Sequence, residues 1–204
     1  MKGIDRFSED IDFDCKDFYA EDFAEMSQMV LTFLLRSGIR AEIRKKQSEK
    51  LTAFRSSIYF PELLFDLGLS AYKEERFLIK IECQNQEFEY KTQMGTITNC
   101  GFFFSFPIPP DDILYSMKLS ALLSRAKGRD FYDTIFLHSQ TKPNYDFLST
   151  KQNIHNSNEL KEKLTEILEK IDLQHKSKDF EHLLFNKGNK NKILYFNEFI
   201  IKID

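Results

Sequence analysis

Alternating polar and apolar residues predict strands in the first half of the chain. Residues 7–14 and 76–83 switch between charged and apolar side chains, which is typical of a strand with one buried face. Less regular alternation predicts further strands over 39–47, 51–60 and 101–106. These segments together predict a small sheet.

Helical spacing of apolar residues predicts one long helix among these strands. Within residues 17–37, apolar side chains recur at three- and four-residue steps, and Gly38 follows as a residue that can end a helix. The apolar stripe of this helix is expected to consist of Phe23, Met26, Val30 and Phe33. A short helical turn is also predicted in PELLFDLGL, which follows the strand over 51–60.

The segment FPIPPDD marks the one clear break in composition, because three of its residues are prolines. After it the pattern becomes helical, with predicted helices over 111–125, 128–139 and 157–175. The sequence therefore predicts an α+β fold with two parts. A lobe that contains the sheet spans residues 1–106, and a helical lobe spans residues 107–204.

Composition and charge exclude several classes of function and location. The chain has 204 residues, 42% of them hydrophobic, and a net charge of −3, so a basic field over the whole molecule is excluded. Its three cysteines form no C-x-x-C pair, which favours free thiols over a zinc site. The acidic N-terminus does not resemble a signal peptide, and no apolar run reaches the roughly 18 residues of a membrane helix. We expect a cytoplasmic protein without a membrane partner.

The first strand is the first candidate site. Asp10 and Asp12 are two residues apart, so they point to the same side of the strand, whereas Ile11 and Phe13 are expected to face the core. Two such carboxylates can bind a divalent cation, and Mg²⁺ prefers carboxylate and phosphate oxygens. The alternative interpretation is a solvent-exposed acidic face.

A third carboxylate is expected from the strand over 76–83. Glu82 shares a face with Lys80 in the otherwise apolar sequence LIKIEC. Glu82 is the best candidate to complete a metal site with the first strand, since two-metal phosphoryl transfer uses several carboxylates. The alternative is an ordinary charge pair with Lys80 across or along the sheet.

The stretch MKLSALLSRAKGRDFYD, residues 117–133, is the second candidate site. Lys118 and Arg125 are seven residues apart and lie on one face of the predicted helix, and Asp130 and Asp133 follow after Gly128. Cations of this kind can bind the phosphates of a nucleotide. A surface helix stabilised by ion pairs is the alternative.

In this order, RFSEDIDF, IKIE and MKLSALLSRAKGRDFYD resemble the AbiEii/AbiGii toxin family of nucleotidyltransferases over residues 6–137. The resemblance implies a fold like that of DNA polymerase β, with a short mixed sheet, flanking helices and a helical region that follows. It also implies that Asp10 and Asp12 bind Mg²⁺, and that Glu82 is the third carboxylate and activates the attacking hydroxyl. Lys118 and Arg125 would contact the nucleotide phosphates.

The resemblance further implies that Asp130 belongs to an essential charged set and that Lys80, Lys127 and Arg129 help to bind nucleotide. Its implied substrate is an NTP. Characterised toxins of the family transfer nucleotides, some to RNA such as the tRNA acceptor end, and are paired with an antitoxin that regulates transcription. The implied partners are therefore an NTP, an RNA or protein acceptor and a cognate antitoxin.

The beginning of the chain departs from the family pattern. The family has a Lys-Gly-Gly-Ser/Thr turn before the first aspartate, whereas Lys2-Gly3 is followed here by Ile4 and Asp5. We consider three explanations: a chain that starts within a longer protein, a relative that has lost the phosphate turn, and phosphate binding by other cations. Those cations would be Lys2, Arg6, Lys118 and Arg125.

Two further hypotheses follow from these departures and from the charge pattern. A non-catalytic relative that binds an antitoxin or RNA would explain the altered turn. A metal-dependent nuclease is less favoured, because such sites usually place the acid before the lysine, whereas Lys80 precedes Glu82 here.

Overall fold

The computed structural model describes residues 3–8, 10–44, 53–99 and 101–203. The chain divides into two compact units. One is Ser8–Glu87, and the other consists of the chain up to Phe7 together with everything from Phe88 onward. This division differs from the predicted one at residue 107, because the prolines there lie at the end of a strand and the start of a helix, within one unit.

The unit Ser8–Glu87 is built on a four-stranded mixed sheet. Its strands are β1 (Asp10–Asp14), β2 (Glu42–Arg44), β3 (Phe54–Phe60) and β4 (Phe77–Gln84), in the order β1-β4-β3-β2. β1 runs parallel to β4, whereas the other two pairs are antiparallel. Two helices complete the unit, α1 (Ala20–Arg36) and the short α2 (Leu63–Asp66). Three of the four strands lie within predicted segments, and β4 extends one residue beyond its predicted segment, to Gln84.

Helix α1 supplies much of this unit's core. Phe23 is buried, and Met26, Val30 and Leu34 pack against a cluster that includes Ile58 and Ile81 of the sheet. The prediction for Phe33 was wrong, because its side chain remains 57% exposed. Gly38 adopts a positive φ of 79° just after the helix, as expected of a residue that ends a helix.

The edge position of β1 changes one expectation. Phe13 packs against the core, but Ile11 is 45% exposed, contrary to the prediction that both would be buried. β1 has a single neighbour in the sheet, so its first residues are covered less than those of the central strand β4.

The second unit begins with a hairpin and continues with helices. The hairpin pairs β5 (Gln93–Asn99), which was not predicted, with β6 (Phe102–Ile108). Phenylalanine is usually buried, but those of β6 at positions 102, 103, 104 and 106 are 36–77% exposed. The two strands form a sheet by themselves.

Six helices follow: α3 (Asp111–Arg125), α4 (Gly128–His138), α5 (Tyr145–Gln152), α6 (Ser157–Leu168), α7 (Leu173–Asp179) and α8 (Phe196–Ile201). Two 3₁₀ helices, Glu181–Leu183 and Lys187–Tyr195, lie between α7 and α8. The single helix predicted over 157–175 is in fact two. The Asp172 side chain accepts a hydrogen bond from the Gln174 backbone N–H and so starts α7 as a separate helix.

The helices enclose a core of large side chains. Tyr115, Leu119, Phe131, Phe147 and Phe196 are all fully buried. The fold is thus α+β, with a small mixed sheet, flanking helices and a helical C-terminal region, which confirms the predicted class. Within the described residues, no helix is both long and apolar enough to cross a membrane.

The segment before β1 packs on the C-terminal part of the helical unit. The Phe7 backbone N–H donates to the Leu183 carbonyl at 2.7 Å, and the Phe185 N–H donates to the Asp5 carbonyl at 3.2 Å. Arg6 and Leu184 form the bridge between these two hydrogen bonds. Phe7, which was predicted to begin a strand of the main sheet, therefore pairs elsewhere. Lys2 and Glu9 lie outside the described residues.

Candidate functional site: a carboxylate sheet face and a buried charge cluster

The parallel pairing of β1 with β4 brings the predicted carboxylates to one face of the sheet. Asp10 is in register with Lys80, and Asp12 is in register with Glu82. Residues that are in register on neighbouring strands point to the same side of the sheet. Asp10, Asp12, Lys80 and Glu82 therefore share one face, as the sequence predicted for each strand separately.

Two cations neutralise part of this carboxylate face. Lys80 Nζ lies 3.4 Å from Asp10 Oδ1, and Arg55 Nε lies 3.0 Å from Glu82 Oε1. Arg55 belongs to β3, where it is in register with Glu82. Both cations are about half exposed, so water screens these pairs and each contributes little to stability.

Whether this face can hold a metal ion depends on the ligand atoms that its side chains offer. Carboxylate oxygens are the ligands that Mg²⁺ prefers, and Asp12 is solvent-exposed beside Glu82. The three carboxylates do not converge, however, since no group of three His, Cys, Asp or Glu side chains in the described part of the chain is placed to hold a metal ion. The face thus has suitable ligands, while Lys80 and Arg55 now supply its positive charge.

The second candidate stretch spans the second half of α3, the turn after it and the first half of α4. Arg125, the last residue of α3, donates two hydrogen bonds to Asp130, from Nε to Oδ2 at 2.9 Å and from Nη2 to Oδ1 at 2.7 Å. Asp130 is fully buried and also accepts the Lys127 backbone N–H at 3.2 Å. Asp130 therefore caps α4 and fixes the Arg125 guanidinium. Lys127 is exposed, and Arg129 is half-buried.

Gly128 lets this turn approach α7 closely. A Cβ atom at Gly128 would lie 2.0 Å from the Lys176 carbonyl oxygen, a distance that no side chain can occupy. The Gly128 N–H also donates to Asp179 Oδ2 at 3.2 Å. The glycine in the sequence AKGRD is thus required by packing.

One turn further along α4, Asp133 binds two cations. Arg6 donates to both of its carboxylate oxygens at 2.6 Å, and Lys118 Nζ lies 3.5 Å from Oδ2. The side chain of Asp133 is 4% exposed and that of Lys118 is 31% exposed. Two positive charges thus face one buried carboxylate, so the ammonium of Lys118 is only partly neutralised where it reaches the surface.

Tyr132 links the same helix to the N-terminal segment. Its hydroxyl donates to Asp5 Oδ1 at 2.5 Å, and the Asn189 side chain donates to the other Asp5 oxygen. The Tyr132 hydrogen bond holds the pKa of Asp5 below its usual range. Burial, followed by the hydrogen bond to Asp5, raises the pKa of Tyr132.

The comparison of the sequence with known families decides the family. The model of the nucleotidyl transferase AbiEii toxin family, of type IV toxin–antitoxin systems, matches residues 1–151. The chain belongs to this family. The matched residues include every predicted site residue, on β1, β4, α3, α4 and the turn between α3 and α4, and they end within α5.

The chain is also similar to a solved structure, at low sequence identity. The crystal structure of JHP933 from Helicobacter pylori is similar to this chain with a TM-score of 0.46 and 18% sequence identity, over 98% of this chain and 78% of that one. No curated protein matches the sequence.

The sequence patterns assign no role to Arg55, Asp133 or Tyr132. Arg55 is the one charged residue of the strand FRSSIYF. Only the pairing of β3 with β4 shows that its side chain reaches Glu82. Asp133 follows Asp130 by three residues, which predicts a shared helix face, yet its partner Arg6 lies 127 residues away.

Proposed function

We propose that this AbiEii family member transfers a nucleotide from an NTP to an RNA or protein acceptor, with Mg²⁺ as its cofactor. The main support is the register of β1 with β4, which places Asp10, Asp12 and Glu82 on one sheet face. The type IV family description further supports a cognate antitoxin as the partner that counteracts this activity.

In this proposal, Asp10, Asp12 and Glu82 hold the metal. A bound Mg²⁺ would neutralise phosphate charge and polarise the phosphoryl group. The binding of a cation requires that Lys80 and Arg55 leave their present partners, and Lys80 can then contact a nucleotide phosphate.

Glu82 is proposed to accept the proton of the attacking acceptor hydroxyl. The acceptor oxygen bonds to the α-phosphorus, the bond from that phosphorus to the bridging oxygen breaks, and pyrophosphate leaves. The proton moves from the hydroxyl to the Glu82 carboxylate, so charge and atoms balance. Arg55 competes for that carboxylate in the unliganded chain.

Lys118 and Arg125 are proposed to contact the nucleotide phosphates, with help from Lys127 and Arg129. Arg125 has the planar fork that suits a phosphate, and the bidentate contact with Asp130 fixes its orientation. Asp130 then acts as a positioning residue, because it is fully buried and contacts Arg125 and backbone.

Incubation of the protein with labelled NTPs, Mg²⁺ and total RNA or protein tests the activity. We expect label transfer that is lost on Asp10→Asn with Asp12→Asn, two substitutions that preserve side-chain shape. Asp17→Asn is the matched control, since Asp17 is an exposed aspartate just beyond the same strand. Transfer that persists in the double variant would contradict the assigned site.

A second candidate function is the binding of an antitoxin or RNA without catalysis, by a non-catalytic member of the family. The ion pairs of Lys80 and Arg55 on the carboxylate face favour it, because they neutralise the groups that a metal would need. Titration calorimetry separates the two. Micromolar NTP binding that depends on Mg²⁺ supports the enzyme, whereas no NTP binding with or without Mg²⁺ supports the non-catalytic relative.

A further inference from the structure

A basic surface lies in the part of the chain that follows the family match. It is formed by Lys178 of α7 and by Lys187, Lys190 and Lys192 of the last 3₁₀ helix. Residues 173–192 contain five lysines and two acidic residues, in a chain whose net charge is −3. Positive charge is therefore concentrated locally, against the overall balance of the chain.

The nearby carboxylates neutralise only part of this surface. Glu181 accepts a hydrogen bond from Lys190 at 2.7 Å. That bond, with the charges of Lys187 and Lys178, holds the pKa of Glu181 below its usual range, so several lysines surround a single acid. Asp179 accepts the Gly128 N–H, and Asp5 accepts from Tyr132 and Asn189.

Exposed aromatic rings accompany the lysines. Phe185 is 63% exposed and precedes Lys187 by two residues. Its ring contacts that of Phe7, itself 57% exposed, in an edge-to-face arrangement with 4.5 Å between centroids. Folding normally buries such rings, so a pair that stays in water beside lysines suits a ligand with both flat faces and negative charges.

We propose that this basic surface binds single-stranded RNA, with its lysines on the phosphates and the ring of Phe185 against a base. Single-stranded nucleic acids are bound in this way, by cations along the backbone and aromatic rings that stack on bases. An acidic protein would use the lysines and gain little from the ring. The proposal rests on the proposed function, because it selects RNA over protein as the acceptor.

Anisotropy of a short labelled single-stranded RNA, measured without NTP, tests this surface. The test variant combines Lys178→Gln, Lys187→Gln and Lys192→Gln, all at exposed positions, and it keeps the Lys190–Glu181 pair. The matched control combines Lys161→Gln, Lys163→Gln and Lys170→Gln, which remove the same charge from α6 and the residues just after it.

We expect the wild type to bind RNA with a strong salt dependence between about 50 and about 200 mM salt, and the control to match it. In the test variant, the slope of log affinity against log salt should fall by about 2, since each lysine–phosphate contact in a single strand contributes about 0.7. Phe185→Ser should weaken binding about tenfold and leave the salt slope unchanged.

Equal losses in the test and control variants would overturn the proposal, as would wild-type affinity in the test variant. Displacement of RNA by polyglutamate at the same charge concentration as by unlabelled RNA would also overturn it, in favour of an acidic protein. Because NTP is omitted, the double variant Asp10→Asn with Asp12→Asn should still bind RNA. A wild-type protein that binds RNA but transfers no label would contradict the proposed activity, whereas label transfer to RNA that is unchanged in the lysine test variant would contradict this surface.

Discussion

Arg6 donates two hydrogen bonds of 2.6 Å to the buried carboxylate of Asp133, from a position 127 residues away in the chain. This ion pair attaches the segment before β1 to helix α4. The same carboxylate also faces Lys118, a predicted phosphate ligand, at 3.5 Å.

Asp133→Asn should destabilise the protein by about 3 kcal/mol, because it leaves the buried guanidinium of Arg6 without its charged partner. Urea unfolding followed by far-UV circular dichroism measures the change. Arg40→Gln is the control, since Arg40 pairs with Glu62 and Asp66 at the surface and should change stability by about 1 kcal/mol or less. Equal small losses of stability in both variants would show that Arg6 and Asp133 do not form this ion pair in solution.

Tyr132→Phe should change how stability depends on pH. The pKa of Asp5 is lowered in the folded chain, so its contribution to stability is present above the ordinary carboxyl pKa of 3.8 and is lost as pH falls through the folded pKa. The raised pKa of Tyr132 adds stability that is present below pH 10.0 and is lost as pH rises further.

The variant should therefore be less stable than the wild type at neutral pH, by about 1.5–3 kcal/mol for a hydrogen bond to a charged group. The difference should shrink in acid and at high pH, where each partner changes its protonation state. Thermal unfolding measured in acid, at neutral pH and at high pH tests both of these decreases. The control Tyr195→Phe changes a tyrosine that is 65% exposed, so its stability should depend on pH as in the wild type. Wild-type pH dependence in Tyr132→Phe would contradict the assigned hydrogen bond between Tyr132 and Asp5.

Gly128→Ala should destabilise the helical unit, because the new Cβ would overlap the Lys176 carbonyl oxygen. We expect a loss of about 3 kcal/mol, at the upper end for overpacked sites, since a backbone atom cannot rotate away. Gly188→Ala is the control, with its nearest contact 3.3 Å away on a side chain. Urea midpoints compare the two, and a wild-type midpoint for Gly128→Ala would show that α4 and α7 can separate at low cost.

Arg55→Gln should strengthen binding of a divalent cation to the carboxylate face, because it removes the cation that pairs with Glu82. A partly exposed pair of this kind is worth about 1 kcal/mol, so the Kd for Mn²⁺ should fall about fivefold. Electron paramagnetic resonance measures free Mn²⁺ directly and needs no enzymatic activity.

Arg44→Gln is the matched control for Arg55→Gln, as Arg44 lies on the same sheet with its guanidinium over the Tyr59 ring. Its Mn²⁺ affinity should stay at the wild-type value. Unchanged affinity in Arg55→Gln, or undiminished binding in Glu82→Gln, would exclude Glu82 as a ligand.

The sequence by itself determined the secondary structure where periodicity was strong. The alternation DIDFD predicted β1, the apolar spacing from Asp111 to Arg125 predicted α3, and Gly38 marked the end of α1. It also determined the family, because the motifs around Asp10, Glu82 and Lys118 keep their order along the chain. These features depend on neighbours a few residues apart, and they remain readable without the fold.

Only the tertiary structure decided which charges meet. Parallel pairing of β1 with β4 placed Asp12 beside Glu82, and the third strand added Arg55 as a competitor that no local pattern could indicate. The pairing of Arg6 with Asp133 likewise depends on the fold of the whole helical unit. The physical reason is that a charge selects its partner by distance in space and by burial, whereas periodicity along the chain records only which face a residue occupies.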